Sequence, residues 1–598
     1  MDGPVGLGSR RLAVIDLSSR AHQPMANEDG SLWIAFNGEV YNFHALRAEL
    51  AAKGHPFRSD SDTEAVLHLY EEEGVGCLQQ LRGMFAFALW DARRRTLFLA
   101  RDRLGKKPLF YYHDGRRFLF GSAPKAILQD PAIRAEAEPE AIHHYLTYGF
   151  VPGPWSAFRG IKKLPPAHYL LVRDGAVRVH RYWSLRYVPK RTGSAAALGE
   201  ELLALLEEAV RLRLISDVPL GALLSGGVDS STVVALMRRL TAGPVRTFSI
   251  GFDRPEYDEL RYARAVARRF ETDHHELVVM PDAVAALPRL IWHYNEPFAD
   301  SSALPAFHLC ELARRLVTVA LSGDGGDEAF AGYDRYRAAR LAARLDAIPV
   351  SIRRAVSRMA GVLPPGGPRS PVDRWRRFLG ALALAPRRRY GRWLVGLDAA
   401  AVTTLYSDEF AAQVRQLDPL TVLEAAYDVT DAPGFLEQTL HADVQLYLPD
   451  DLLVKMDVAS MAHSLEVRSP FLDHHVMEFA ASLPPDLKLR GSTQKYLIKR
   501  VMTGLLPDAV VRRRKMGFGV PIDHWLRSEL RELVHEVLLD RRTQQRGYFR
   551  PETVRRYLAD HARGRANHHA RLWSLLVLEV WHRMHIDEPC PVEPPGLR

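Results

Sequence analysis

Residues 221–237 read GALLSGGVDSSTVVALM, an apolar run that stops at Ser225-Gly226-Gly227 and resumes as an amphipathic helix pattern. Two glycines, a carboxylate and serine hydroxyls at the mouth of a helix bring backbone N–H groups and the positive end of the helix dipole together, which suits an anion and above all a phosphate. The texture recurs past residue 200. "LEEAVRLRLISD", "DELRYARAVARRF" and "LCELARRL" carry helical periodicity, whereas "RTFSIGF" and "RLVTVALSG" are short apolar strands. Strand–helix alternation predicts an α/β fold with a parallel sheet covered on both faces, whose ligands bind outside the carboxyl ends of the strands.

Three such strand ends stand out: "LLSGGVDSS", "TFSIGF" with Ile250 before Gly251, and "VTVALSGDGGDE" at residues 317–328. Glycines let backbone N–H groups close on phosphate oxygens, and Asp229, Asp324 and Asp327 offer hard oxygen ligands to Mg²⁺. No G-x-x-x-x-G-K-[ST] occurs, so the phosphate loop is not of the Walker type. Residues 340–440 read as a helical insertion with a Pro-Pro-Gly-Gly loop at 364–367.

The first third is β-rich. "SLWIAFNGEVYN" alternates Leu32, Ile34 and Phe36 in strand period and is expected to break at Asn37-Gly38. Hairpins are predicted around Asp91 to Arg95, at Asp114-Gly115 and at Asp174-Gly175, and helices in "YNFHALRAELAAKG" and "SDTEAVLHLYEEEG". At 598 residues the chain is too long for one core. The expected division is an N-terminal domain over 1–186, a linker over 187–200, a second domain over 201–585 and a disordered tail over 586–598.

The formal charge of +9 invites a nucleic-acid reading, but the basic runs (Arg93 to Arg95, Arg387 to Arg389, Arg512 to Lys515) lack interleaved aromatics and read as solvated surface. Cys77, Cys310 and Cys590 are too few and too scattered for a disulfide framework or a zinc site. With no apolar span or leader pattern, the expectation is a cytoplasmic protein without a nucleic-acid or membrane partner.

"SGGVDSS", together with "TFSIGFDRPEYDELRYARAVA", "YNEPFADSSALP", "VALSGDGGDEAFAGYDRY" and "LPDDLLVKMDVASMAHSLEVRSPFLD", resembles the glutamine-dependent asparagine synthetase family, whose phosphate loop is that of the N-type ATP pyrophosphatases. The resemblance runs from about residue 5 to about residue 585 and implies a ligase of amino-acid biosynthesis. A carboxylate, in asparagine synthesis the side chain of aspartate, attacks the α-phosphate of MgATP; pyrophosphate leaves and ammonia attacks the acyl-adenylate. It further implies that Leu224, Ile250, Ser322 and Gly323 hold the nucleotide, and that Ser225, Gly226, Gly227, Asp229 and Ser230 hold pyrophosphate. Asp229 and Asp327 would bind Mg²⁺, and Lys495 in "GSTQKYLIKR" would stabilise charge at the adenylation site. Asp324 stands where the family often has Glu, and it keeps a substrate-orienting or metal role with shorter reach. Glu466 and Arg468 in "SLEVRSPFLD" are read either as substrate contacts or as a buried structural pair.

By the same resemblance the first third is a class II glutaminase of the N-terminal-nucleophile α+β sandwich type. Arg11 would grip the glutamine α-carboxylate, Asn37 and Gly38 would form the oxyanion hole, Glu39 would contact glutamine and Asp62 would take its α-amino group. The family nucleophile is a Cys directly after the initiator Met, where this sequence has Asp2. The expectation is therefore a sandwich missing its first strands, through a start assigned too far downstream, with Cys77 in the core. Such a chain is expected to make amide from ammonia, and from glutamine only in a longer form. Relatives that amidate exopolysaccharide, antibiotic or peptide precursors are the alternative, and a tRNA-modifying adenylating enzyme is a remoter one. A homodimer fits the family.

Overall fold

The computed structural model describes residues 3, 5–254, 256–360, 371–517 and 519–588. The Pro-Pro-Gly-Gly loop at 364–367, Cys590 and most of the expected tail lie outside them.

Strands β1 (Met25–Ala26), β2 (Leu32–Val40), β3 (Gly83–Asp91) and β4 (Thr96–Arg101) enter a six-stranded antiparallel sheet. Strands β5 (Phe110–His113), β6 (Phe118–Gly121) and β7 (Ile161–Lys163) make a smaller sheet, and β8 (His168–Arg173) and β9 (Ala176–Arg181) complete the larger one, in the order β1-β2-β3-β4-β8-β9. Period-two alternation sorts the side chains. Phe85, Phe87 and Leu89 of β3, with Phe98 of β4, face the core under helices Phe43–Ala52 and Asp62–Glu73. Ala86, Ala88 and Trp90, with Leu97 and Leu99, face the core shared with Tyr111, Phe118 and Phe120 of the smaller sheet. The central strand β3 is thus buried on both faces, and it reads as a continuous apolar run for that reason.

The three hairpins form where expected: Asp91 pairs with Thr96, His113 with Phe118, and Arg173 with Ala176. Asp174 (φ +50°) and Gly175 (φ +77°) supply the two left-handed residues that a two-residue hairpin turn requires. The expected break at Asn37-Gly38 does not occur. β2 runs through it, with Asn37 opposite Ala86 and Gly38 opposite Phe85. Gly38, at φ +145°, is there for closeness: a Cβ on it would stand 2.0 Å from the Met84 carbonyl oxygen.

The second sheet is built from β10 (Leu220–Leu223), β11 (Arg246–Phe252), β12 (Asp273–Val279), β13 (Val319–Leu321) and β14 (Glu466–Arg468), in the order β12-β11-β10-β13-β14, and every pairing is parallel. Leu223, Phe248, Ile250 and Ala320 pack on one face and Ala222, Leu224, Val319 and Leu321 on the other. The chain passes from β10 outward to β11 and β12, then returns to β13 and β14 on the opposite side. The loops after β10 and β13 therefore flank the topological switch point.

The stretch read as linker is only partly irregular. Ser194 caps a helix over Ala195–Arg213, its side chain accepting from the Ala197 N–H, and Leu198 is buried. Leu198 shares one apolar core with Phe36 and Phe85 of the first sheet and Leu224 of the second, so the packing is continuous along the chain. Residues 340–440 are helical where described, with a small core of Ala342, Phe378 and Leu382. At the start of the expected tail, Asp587 is held by Arg546 at 2.7 Å. Among the described residues no helix is long and apolar enough to cross a membrane.

Candidate active site

After β10 the chain turns through Ser225 and Gly226 into the helix Val228–Leu240, with Gly227 at its N-cap. Hydroxyls shape the turn: the Ser225 N–H donates to Ser230 Oγ at 3.2 Å, the two Oγ atoms lie 3.1 Å apart, and the Gly227 N–H donates to Ser225 Oγ at 3.3 Å. Gly226 is left-handed (φ +67°) and lies against the next helix, where a Cβ would meet the Ala263 nitrogen at 2.5 Å. The loop after β13 packs directly on this turn. A Cβ at Gly323 would stand 2.6 Å from the Ser230 nitrogen, and one at Gly326 2.6 Å from the Asp229 carboxyl carbon. The glycines of both loops are therefore needed for the two strand ends to meet.

Where they meet, Asp229 and Asp327 share one ammonium. Lys495 Nζ contacts Asp229 Oδ2 and lies 2.5 Å from Asp327 Oδ1, while Lys515 Nζ lies 2.6 Å from Asp327 Oδ2. Asp229, Asp327 and Lys495 are each less than 10% exposed. Burial works against ionising Asp327, but the two lysines outweigh it and hold this carboxyl well below its ordinary range. Burial raises Asp229, with Lys495 opposing and Asp327 adding to the rise. Its Oδ1 is buried without a hydrogen-bond partner, an open hard-oxygen position beside a second carboxylate.

Lys495 is no surface helix residue. It follows the short hairpin of Leu489–Arg490 and Thr493–Gln494, adopts a left-handed conformation (φ +53°), and caps the helix Tyr496–Met502 from inside the site. Gly332 leaves room for it, since a Cβ there would lie 2.2 Å from Lys495 Cε. Asp324 stands apart from this cluster. It accepts from the Ser322 hydroxyl at 2.7 Å; burial lowers Lys106, a shift the Asp324 charge opposes without overcoming. Leu224 and Ile250 are core residues at neighbouring strand ends: the Leu224 N–H bonds the Phe248 carbonyl, and Ser249 Oγ donates to the Leu224 carbonyl.

The basic run at 512–515 corrects the solvated-surface reading. Arg513 donates to the Gly226 carbonyl at 2.9 Å, pairs with Glu259 and lies 4.2 Å over the Tyr262 ring, while Lys515 reaches Asp327. Of the four, Arg512, paired with Asp508 on its own helix turn, and the exposed Arg514 behave as surface. Two other residues gave no sequence signal. Glu328 is buried beside Asp327, which with burial raises it to about 7 as it accepts from the Tyr333 hydroxyl. Lys106 is buried with an unpartnered Nζ, and burial lowers its pKa.

At the edge of the first sheet, Arg11 donates to the Asp16 carbonyl at 2.9 Å and to the Ile15 carbonyl, curling around its own loop. Its charge reaches both Glu39 and Asp62. Asp62 Oδ2 accepts from the Val40 N–H at 2.8 Å, so the helix start and the strand carrying Asn37, Gly38 and Glu39 converge. Burial raises Asp62 to about 6, and burial with Asp62 and Glu466 holds Glu39 well above its ordinary range. Glu39 Oε2 is buried without a partner. Glu466 and Arg468 form a buried pair at 2.7 Å, and Arg468 donates to the Arg213 and Ile215 carbonyls at 3.0 and 2.6 Å. Arg468 also lies 3.7 Å from Glu39, while the next residue, Ser469, lies 2.9 Å from Ser322. The end of β14 thus touches both sites. Cys77 is fully buried with its thiol pushed up by burial, as a core residue should be.

The profile described as Asparagine synthase matches residues 201–583, and that described as Glutamine amidotransferase domain matches residues 1–183. The chain belongs to the asparagine synthase family. Asparagine synthetase (glutamine-hydrolysing) 1 of Bacillus subtilis is 32% identical over 98% of this chain and 91% of its own length. A putative asparagine synthetase (glutamine-hydrolysing) of Mycobacterium tuberculosis is 34% identical over 98% and 90%. A relative named Amidase chry2, from Gibberella zeae, is 28% identical over 91% and 85%. As an asparagine synthase family member the chain is a carbon–nitrogen ligase with ATP-dependent amidotransferase function, and it joins a glutaminase-type half to a parallel-sheet half.

Proposed function

We propose that this asparagine synthase family member converts aspartate to asparagine through β-aspartyl-AMP. The observation that carries the reading is the cluster of Lys495 and Lys515 on Asp229 and Asp327, set between two Ser-Gly loops at the switch point of the parallel sheet. A side-chain carboxylate oxygen of aspartate attacks the α-phosphorus, the α–β bridging bond breaks, and pyrophosphate leaves with the electron pair. Ammonia then attacks the acyl carbon and AMP departs. The backbone of 225–227 with Ser230 cradles the leaving pyrophosphate, while Lys495 and Lys515 neutralise charge as it develops. Leu224 and Ile250, with Ser322 and Gly323, frame the nucleoside. Asp324, close to Lys106, orients the incoming substrate. Asp229 and Asp327 fit Mg²⁺, the former by its unpartnered buried Oδ1. Held there, the ion would supply positive charge that lowers the cost of charge on the phosphates.

In this reading residues 1–186 bind glutamine, and ammonia comes from it only in a longer form that carries the nucleophile; this chain takes free ammonia. Arg11 and Asp62 meet the α-carboxylate and α-ammonium of glutamine, Asn37 and Gly38 form the oxyanion hole, and Glu39 meets the amide. The test is isotopic. Aspartate carrying ¹⁸O in its side-chain carboxylate should leave one labelled oxygen in AMP per asparagine formed. Unlabelled AMP, or ADP as the product, rules the adenylate out. The amidases among the relatives favour a second reading, the same chemistry on another carboxylate; no aspartate-dependent pyrophosphate release at millimolar aspartate would select it.

A further inference from the structure

Away from both sites, four side chains from three segments converge. Glu28 lies in the turn between β1 and β2, His55 follows the helix Phe43–Ala52, and His68 and Glu71 sit one turn apart on the helix Asp62–Glu73. One potential ligand atom from each lies within 4.8 Å of the others. His68 Nδ1 is 2.7 Å from Glu71 Oε2 and 3.9 Å from Glu28 Oε2, and His55 Nδ1 is 3.5 Å from the same Glu71 oxygen. Tetrahedral coordination at about 2.0–2.1 Å separates ligand atoms by roughly 3.4 Å, a spacing these distances bracket.

The surroundings are those of a ligand set. His68 is 1% exposed, an imidazole held inside among carboxylates with its Nε2 unpartnered. The His55 ring turns its other nitrogen to a second carboxylate, Nε2 lying 3.1 Å from Glu72, and the nearest carboxylate to His68 Nε2 is Glu64 at 3.9 Å, beyond hydrogen-bond reach. Glu64 is fixed by the Arg58 and Ser59 N–H groups at 2.8 and 2.7 Å, and Glu71 Oε1 accepts from Asn27 at 2.7 Å. Outer carboxylates that orient metal-binding imidazoles are the usual support of such a site.

We propose that Glu28, His55, His68 and Glu71 bind a divalent transition metal of the Zn²⁺ class. Two imidazoles with two carboxylates suit Zn²⁺ over Mg²⁺ or Ca²⁺, which prefer all-oxygen shells. Four protein ligands leave no open position, so the ion is a structural clamp. It ties the short edge strand β1 and its turn to the helix whose first residue is Asp62.

Titration of the metal-stripped full chain with Zn²⁺ near pH 7.5 should reveal one site with Kd below about 1 µM, retained in millimolar Mg²⁺. Zn²⁺ should slow hydrogen exchange in residues 27–31 and 54–57. His55→Gln should weaken binding by about 100-fold and Glu72→Gln, which only loosens the His55 ring, by about tenfold. Neither side chain is buried, and each is replaced by one of similar size, so the far-UV circular dichroism should stay unchanged. Less than about 0.2 Zn²⁺ bound per chain, or binding that survives His55→Gln unaltered, overturns the proposal.

Discussion

At the ends of β10 and β13, two buried aspartates lie against two lysines, and Asp327 is held ionised well below its ordinary range. At the edge of β2, Glu39 and Asp62 are just as buried, but Arg468 stands 3.7 Å from Glu39 and Arg11 spends its hydrogen bonds on carbonyls, so both carboxyls rise. Burial is common to the two places and raises Asp229 as well; what differs is the pair of lysines on Asp327. The first is prepared for charge that must be present and balanced, as phosphates and a metal ion require. The second is prepared for a ligand that is neutral at one end and brings its own cation at the other.

The largest effect expected from breaking this contrast is at Asp327. Asp327→Asn leaves Lys495 and Lys515 without their shared carboxylate, and pyrophosphate release should fall by at least about 10³-fold at saturating MgATP with the fold intact. A loss below about tenfold would return Asp327 to a structural role. Gly38→Ala tests the other side. With a Cβ 2.0 Å from a carbonyl oxygen, β2 must part from β3, and chemical denaturation should show a loss of at least about 3 kcal/mol.

A smaller effect sharpens the contrast through pH. Asp62 has a folded-state value of about 6, above its unfolded one. Its ionisation therefore costs stability, a cost absent below about pH 4 and complete above about pH 6. Asp62→Asn should stabilise the protein at pH 7 by roughly 1–2 kcal/mol while weakening glutamine binding at least about tenfold. In the unsubstituted protein, glutamine binding should weaken as pH falls through about 6, and in the variant that dependence should vanish. Equal glutamine affinity in both at pH 7 removes Asp62 from the pocket. The smallest expected effect is that of Cys77→Ala: its thiol is enclosed in the core, so any glutamine hydrolysis should stay within about twofold.

The legible and illegible parts of the sequence follow the same physical divide. Strand period, hairpin turns and Ser-Gly strand ends are local signals, and the hairpins at 91–96, 113–118 and 173–176 stand where those signals place them. Gly38 misled because a glycine needed for close approach carries the same letter as one needed for a turn. Lys495 was legible only through family resemblance, because its meaning depends on carboxylates more than 160 residues away in the chain. Arg513 and Lys515 were hidden in a basic run whose composition alone points to solvent. Lys106 and Glu328 were silent because burial is set by the whole fold.

The central claim is that Lys495, seated between Asp229 and Asp327, serves the adenylation step. The direct measurement is pyrophosphate release from MgATP with aspartate and ammonia, comparing the unsubstituted protein with Lys495→Ala at matched thermal stability. The account predicts AMP, pyrophosphate and asparagine in equal amounts from the former. In the variant, kcat should fall by at least about 10²-fold with a far smaller change in the KM for ATP, because the contact strengthens as charge develops. A variant that raises KM at unchanged kcat, or turns over normally, would contradict it.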